Sequence, residues 1–256
     1  MNTMALTPAQ LLGCYYLEAK YEFLRLWRTP SFVLPSLLFP SMFYILFGVL
    51  LGGGRAGNDE AARYLLASYG VFGIMGAALF GFGVNVAIER ERGFLTLKRA
   101  LPMPPGAYLV AKLIMAMIFA LIISLMLGVI ASTMAGVSLS ASQWLLLLMI
   151  NVIGTLPFSA MGLLIGTTFS GQASPAIVNL IYLPMAFLSG LWLPLSMLPK
   201  FIGTLAPVWP SHHLVQIALK VVGRDTGGSL GMHVLVLIVI TIAFFVLARR
   251  RLVEQG

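Results

Sequence analysis

The sequence predicts an all-α integral membrane protein, because the chain is strongly apolar, carries few charges and contains several long uncharged segments. Of its 256 residues, 59% are hydrophobic and only 9% are charged, and the mean hydropathy is +0.97. Soluble domains carry about 25% charged residues, and so few could not cover the surface of a soluble fold. We therefore expect a single membrane domain over residues 1–256. It would have an N-terminal interfacial helix, six transmembrane helices and a re-entrant helical segment before the last of them.

The first predicted element is an amphipathic helix over residues 8–28. Its apolar residues recur at helical spacing and form one stripe. The stripe comprises Leu12, Tyr16, Ala19, Phe23 and Leu26, and the charges away from it include Glu18, Glu22, Arg25 and Arg28. This pattern is typical of a helix that lies in the membrane interface, with its charges among the lipid headgroups. An ordinary amphipathic core helix is the alternative, and the spans that follow favour the interface.

Six segments are long enough, and sufficiently free of charge, to cross a membrane. They are residues 32–51, 64–88, 108–134, 143–169, 175–193 and 230–248. Pro35 and Pro40 lie in the first segment and should kink it or shift its start. The fifth segment contains Pro184 and is the least regular.

The distribution of Lys and Arg predicts the orientation of these spans. With the N-terminus inside, eleven of the sixteen basic residues fall in cytoplasmic segments. The remaining five are Arg55, Arg63, Lys200, Lys220 and Arg224. Because basic residues concentrate on the cytoplasmic side of membrane proteins, we expect both termini and residues 89–106 in the cytoplasm. The net charge of +8 then indicates contact with anionic lipid and not with nucleic acid.

Residues 193–228 combine a high proline content with many apolar side chains. The prolines are Pro194, Pro199, Pro207 and Pro210. We expect one or two short helices that dip into the outer leaflet, because irregular backbone at that depth must be shielded by protein. A structured external loop is the alternative.

Motifs of common active sites do not occur in the sequence. Without a GxxxxGK[ST] phosphate loop, no ATP hydrolysis is expected within this chain. GxSxG and HExxH are also missing, and no ionisable residue lies deep in a predicted span, which argues against ion-coupled transport. We expect neither a catalytic residue nor a metal site. His212 and His213 could bind a metal or a substrate, but a role as polar residues at a helix end is the favoured interpretation.

Polar side chains within the predicted spans are candidates for a translocation path. They are Asn85, Asn151, Asn179, Tyr182 and Ser189. Each could instead form a hydrogen bond to a neighbouring helix, and that structural role is favoured for any single residue.

A charged segment, residues 89–99, separates the second and third predicted spans. Its candidate functional residues are Glu89, Arg90, Glu91, Arg92, Gly93, Phe94, Leu95, Leu97, Lys98 and Arg99. A short amphipathic helix here could dock in a groove of a soluble partner by its apolar residues, while its charges set the register. Gly93 would let the backbone turn after the second span. A basic membrane anchor is the alternative, but an anchor needs neither the acids nor the leucines.

Several motifs around this segment resemble the cytoplasmic loop of ABC-2 type transporter permeases. They are Ile88-Glu89-Arg90-Glu91-Arg92-Gly93-Phe94-Leu95, Leu101-Pro102-Met103-Pro104-Pro105 and Ala111-Lys112. The family's Pro-rich re-entrant segment is matched by Ser189-Gly190-Leu191-Trp192-Leu193-Pro194, Leu198-Pro199 and Ala206-Pro207. The resemblance covers essentially the whole chain. One departure is Thr96, which stands where the family often has Glu and is followed by Lys98 and Arg99.

The resemblance implies a permease subunit of an ATP-driven exporter in the bacterial cytoplasmic (inner) membrane. Such a subunit is not an enzyme and has no cofactor of its own; two copies of a separate ATPase subunit bind ATP and Mg. Residues 89–106 would be the coupling segment. The further expected partners are a second copy of the chain or a homologous permease, and membrane lipids. The uncharged spans suggest a hydrophobic or amphipathic cargo, such as a drug, a lipid or a lipid-linked glycan. An ATP-independent channel or carrier, or a non-transporting membrane partner of an ATPase, is the alternative.

Overall fold

The computed structural model describes residues 7–52, 54, 57–100, 104 and 106–254, and all regular structure within these ranges is helical. This confirms the all-α class. The first six helices are α1 (Pro8–Trp27), α2 (Pro30–Tyr44), α3 (Asp59–Leu79), α4 (Asn85–Glu91), α5 (Phe94–Ala100) and α6 (Ala107–Thr133). The others are α7 (Ala141–Ile153), α8 (Thr155–Thr168), α9 (Ser174–Leu188), α10 (Lys200–Leu205), α11 (Pro210–Val221) and α12 (Leu230–Glu254).

Five helical stretches in the described part of the chain are long and apolar enough to cross a membrane. They are Pro30–Leu50, Asp59–Glu91, Ala107–Thr133, Ala141–Thr168 and Leu230–Leu252. The sixth predicted span corresponds to α9, which has 15 residues and contains Pro184. At 1.5 Å per residue α9 is about 22 Å long, shorter than a hydrocarbon core of about 30 Å. The structure therefore supports a multi-pass membrane protein, and the count of six spans stays a prediction.

Helix α1 forms where predicted, and a capping box fixes its start. Thr7 Oγ1 accepts a hydrogen bond from the Gln10 backbone N–H at 3.3 Å, and Gln10 Oε1 accepts one from the Thr7 N–H at 2.8 Å. These two bonds satisfy backbone donors that a helix start leaves without partners.

The orientation of α1 differs from the expectation that its charges lie among lipid headgroups. Glu22 is buried against the helix bundle, whereas Leu12 is 72% exposed. The expected placement of Glu22 is therefore wrong. The physical reason is that the surroundings of a membrane protein are apolar, so apolar side chains can face outward while charges find partners inside.

The most buried span is the stretch Asp59–Glu91, formed by α3, a π-helical turn at Phe80–Val84, and α4. Helix α8 packs closely on this turn through its glycines. A Cβ on Gly166 would lie 2.8 Å from the Gly83 carbonyl oxygen, so only glycine permits this approach. We call the stretch Asp59–Glu91 the central span. It ends at Glu91, within the charged segment of residues 89–99.

The predicted span 143–169 consists of two helices, α7 and α8, with a break at Gly154. A Cβ at Gly154 would lie 2.6 Å from the Leu214 side chain of α11. The break therefore lies where α11 packs against the bundle.

Residues 193–228 contain the short helices α10 and α11, in line with the one or two short helices expected there. All of α11 from Pro210 to Leu219 is buried. Ser211 Oγ lies 2.5 Å from Ser189 Oγ, and Gln143 Nε2 donates to the Val221 carbonyl at 2.8 Å. This segment is therefore a packed part of the bundle, while its depth in a membrane stays a prediction.

Candidate functional site

The charged segment begins at the end of the central span and turns at Gly93 into α5. Gly93 has φ +74°, a conformation that favours glycine. A Cβ at this position would meet no atom within 4 Å. The glycine is therefore needed for the backbone conformation and not for space, as the sequence suggested.

Helix α5 presents apolar side chains on its outer side. Phe94 is 45% exposed and Leu97 is 62% exposed, whereas Leu95 is half-buried and packs on the cluster that includes Tyr108. Glu91 and Arg92, just before the turn, are also exposed. Residues 101–103 and 105 of the predicted coupling segment, and the side chain of Arg99, lie outside the described residues.

Glu89 points into the protein and is only 4% exposed. Tyr108 donates a hydrogen bond to Glu89 Oε2 at 2.6 Å. The ammonium group of Lys112, which is fully buried, donates to Glu89 Oε1 at 3.0 Å and to Glu22 Oε1 at 2.7 Å. Glu89 is therefore part of an internal ion-pair network and is not available for direct contact with a partner.

Arg25 of α1 completes this network. Its Nη2 lies 2.7 Å from Glu22 Oε1 and also pairs with Glu89. Burial alone would lower the pKa of Arg25, but the carboxylates of Glu22 and Glu89 outweigh it and raise the pKa above its ordinary value. The four-charge network, defined as Glu22, Arg25, Glu89 and Lys112, has two acids and two bases. It therefore carries no net charge and joins α1, α4 and α6.

Arg90 connects the same segment to the end of α8. Its Nη2 donates to the Phe169 carbonyl at 2.8 Å, and its Nη1 contacts the Thr167 carbonyl. Carbonyl groups at a helix C-terminus carry partial negative charge and have no partner within the helix. The guanidinium group therefore caps α8.

Lys98 connects α5 to α1 by an ion pair with Glu18, and its Nζ lies 4.7 Å from the centre of the Tyr108 ring. The charged segment thus has an exposed part and an anchored part. The exposed residues are Glu91, Arg92, Phe94, Thr96 and Leu97, and the anchored ones are Glu89, Arg90, Leu95 and Lys98.

Sequence reasoning missed the network partners Glu22, Arg25, Tyr108 and Lys112. A signal for them existed, because acids in an apolar chain and a lysine in the second turn of α6 both require partners. Sequence spacing alone could not pair them, since the two carboxylates are separated by 67 positions in the chain.

The five residues considered for a translocation path are not brought together. Asn179 and Tyr182 line one groove of about 440 Å³ between α2, α3 and α9. Tyr182 also donates to the Phe72 carbonyl at 3.2 Å, and Asn151 donates to Ser124 Oγ at 3.0 Å. Ser189 pairs with Ser211, and Asn85 is half-buried on α4. Asn151, Tyr182 and Ser189 therefore form the helix-to-helix hydrogen bonds that the sequence favoured.

His212 and His213 lie in the first turn of α11, where they meet His233 of α12. The His213 and His233 Nδ1 atoms are 2.9 Å apart, and His213 Nε2 lies 2.8 Å from the Pro207 carbonyl oxygen. Because a carbonyl only accepts, a neutral His213 carries its proton on Nε2 and accepts at Nδ1 from His233. No three His, Cys, Asp or Glu side chains among the described residues are placed to hold a metal ion.

A family model described as ABC-2 type transporter matches residues 15–222. The chain belongs to this family. The match includes α1 from residue 15 onward, the charged segment, all of the network and α11.

Two relatives agree with this family. The chain is 27% identical over 229 residues to "Putative transport permease YvfS" of Bacillus subtilis (strain 168), with 89% of this chain and 92% of that protein covered. It is 25% identical over 200 residues to "Putative transport permease ycf38" of Porphyra purpurea, with 76% and 68% covered. As an ABC-2 family member, this protein is a transmembrane transporter subunit and is not itself the ATPase.

Proposed function

We propose that this chain is the permease subunit of an ATP-driven exporter in the bacterial cytoplasmic membrane. Two copies, or one copy with a homologous permease, form the path, and two separate ATPase subunits bind ATP and Mg. Both termini and the charged segment face the cytoplasm. The observation that carries the proposal is the charged segment itself, which is anchored inside the bundle yet exposes Phe94 and Leu97.

The exposed part of the segment is the proposed docking surface for the ATPase. Phe94 and Leu97 lie three positions apart on α5, so they share one side of the helix. A short helix with such an apolar pair can enter a groove of a soluble protein, and the adjacent Glu91 and Arg92 supply charges that select the partner.

The anchored part supplies the mechanical connection from the docking surface to the spans. Helix α4 is continuous with the central span Asp59–Glu91. Glu89 ties it to α1 and α6, and Arg90 ties it to α8. A displacement of α5 by the ATPase would therefore move four helices together, because ion pairs buried in an apolar protein are costly to break.

The groove that contains Asn179 and Tyr182 is the proposed wall of the translocation path. It lies between α2 and α9, and aromatic side chains including Phe43, Phe72 and Trp192 line it. A mostly apolar wall with few polar groups suits a hydrophobic or amphipathic cargo, such as a drug, a lipid or a lipid-linked glycan. A second permease across the groove would close the path.

Reconstitution with the ATPase encoded by a neighbouring gene tests this function. The purified permease is expected to bind that ATPase and to change its rate of ATP hydrolysis in lipid vesicles. Failure of both binding and rate change would contradict the proposal. Release of a trapped dye from vesicles that contain this chain alone would favour an ATP-independent channel, and binding without any effect of candidate cargo on hydrolysis would favour a non-transporting partner.

A further inference from the structure

A groove of about 940 Å³ lies between α8 and α12 and shares no lining residue with the proposed docking surface or with the groove of Asn179 and Tyr182. Apolar side chains line most of it, including Leu164 and Ile165 of α8 and Phe244 and Leu247 of α12. Arg250 and Arg251 lie at one end of its lining on α12, and Trp209 also lines it.

The length of this groove matches one leaflet of a membrane. Its lining on α12 runs from Ile240 to Arg251, which is about 16 Å at 1.5 Å per residue. The hydrocarbon core of a bilayer is about 30 Å thick. The groove therefore extends from the end of a span to about the middle of the membrane, which is the depth that a lipid acyl chain occupies.

The charge at the end of the groove selects the headgroup. Arg250 is exposed, and guanidinium groups bind phosphate oxygens in a bidentate manner. Basic pockets between transmembrane helices bind anionic lipid headgroups. Arg249 precedes Arg250 in the sequence and is also exposed, but it does not line the groove.

We propose that this groove is a binding site for one anionic phospholipid. The phosphate lies on Arg250, with Arg251 beside it, and an acyl chain lies along Leu164, Phe244 and Leu247 toward Trp209. The inference requires only that the bundle is embedded in a membrane. It does not depend on an ATPase or on the identity of the cargo. The lipid site can therefore be wrong while the proposed function is right, and the proposed function can be wrong while the lipid site is right.

Fluorescence quenching tests the site because Trp209 lines it. A variant with Trp27, Trp144 and Trp192 each replaced by Phe leaves Trp209 as the single tryptophan. It is reconstituted in vesicles that contain phosphatidylglycerol or phosphatidylcholine brominated midway along the acyl chains. Phosphatidylglycerol is expected to quench Trp209 more strongly. Arg250→Gln should reduce this preference about fivefold, since one basic residue near anionic lipid contributes about that factor.

Arg249→Gln is the matched control, because it removes the same charge one position away and should keep the preference. Native mass spectrometry of the chain with all four tryptophans, with Arg250→Gln and Arg249→Gln compared, gives a second reading if the single-tryptophan variant does not fold. Retention of phosphatidylglycerol is expected to fall only for Arg250→Gln.

Three results would overturn the proposal. Equal quenching by the two lipids would show that the groove does not select an anionic headgroup. Equal losses for Arg249→Gln and Arg250→Gln would show a diffuse attraction of the basic helix end. Protection of Trp209 from both lipids would show that protein covers the groove, as a second copy of the chain would.

Discussion

At the scale of single residues, the central feature is the four-charge network of Glu22, Arg25, Glu89 and Lys112. Its members come from three helices, and both carboxylates and the lysine are buried. Removal of water from a charge is costly, so each of these charges depends on its partners. The network is neutral as a whole, and the loss of any one member leaves an uncompensated charge inside the bundle.

Single and double substitutions test this dependence. Glu89→Gln or Lys112→Met alone should destabilise the folded chain by about 3–5 kcal/mol, because each leaves the buried network with one uncompensated charge. The double variant restores neutrality and should cost less than the sum by about 1–3 kcal/mol. Thermal unfolding in detergent measures these differences.

Glu91→Gln is the control for this series, because Glu91 is an exposed acid two positions further along the same helix. It should change the free energy of unfolding by less than about 0.5 kcal/mol. Costs that simply add in the Glu89 and Lys112 double variant would contradict a shared network.

At the scale of elements, the sequence predicted which segments are helical better than what each helix contacts. The apolar spacing was sufficient to place α1. The pairing of its inward charge Glu22 could not be predicted, because Lys112 lies 90 positions further along the chain and only the fold brings the two together. The break at Gly154, where Leu214 of a distant helix packs, was also missed.

The sequence likewise predicted only part of the candidate site. Its boundary at Gly93 and its apolar surface on α5 followed from local sequence, because a glycine turn and a short amphipathic helix are local features. The inward direction of Glu89 and the capping role of Arg90 depend on α1, α6 and α8. These two features could therefore not be predicted from the sequence alone.

The Arg90 cap predicts a local effect at the end of α8. Arg90→Ala should increase hydrogen exchange of backbone amides near residues 167–174 by about tenfold, because it removes charge-assisted hydrogen bonds to two terminal carbonyls. Hydrogen exchange with mass spectrometry measures this rate. Arg92→Ala removes an exposed arginine from the same segment and should leave the exchange unchanged. Equal effects of the two variants would contradict the cap.

The histidines between α11 and α12 predict a dependence of stability on pH. Burial, together with the nearby His213 and His233, lowers the pKa of His212 from its ordinary 6.5 to about 4. Between these values the unfolded chain takes up a proton that the folded chain does not. Stability should therefore be full above pH 6.5 and should fall as the pH is lowered toward 4.

His212→Gln separates this contribution from the rest of the protein. The variant cannot take up the proton, so its unfolding temperature should fall less than that of the original chain between pH 7 and pH 4.5. Unfolding temperatures at a series of pH values measure the difference. Parallel losses in the two proteins would exclude His212 as the titrating group.

At the scale of the whole molecule, the fold connects the proposed docking surface to the central span and to three further helices. The central span is the most buried of the five membrane-length stretches and ends at the charged segment. Helices α1, α6 and α8 each bond to that end through Glu89 or Arg90. Phe94 and Leu97 are the exposed large apolar side chains of this region of the described chain.

The most direct test of this account is the affinity of the permease for its ATPase when only that surface is changed. Phe94→Gln combined with Leu97→Gln should weaken binding at least about tenfold, because a few residues at the centre of an interface contribute most of its energy. Thr96→Gln, on another side of the same short helix, is the matched control and should bind normally. A double variant that binds the ATPase as tightly as the original chain would contradict the account.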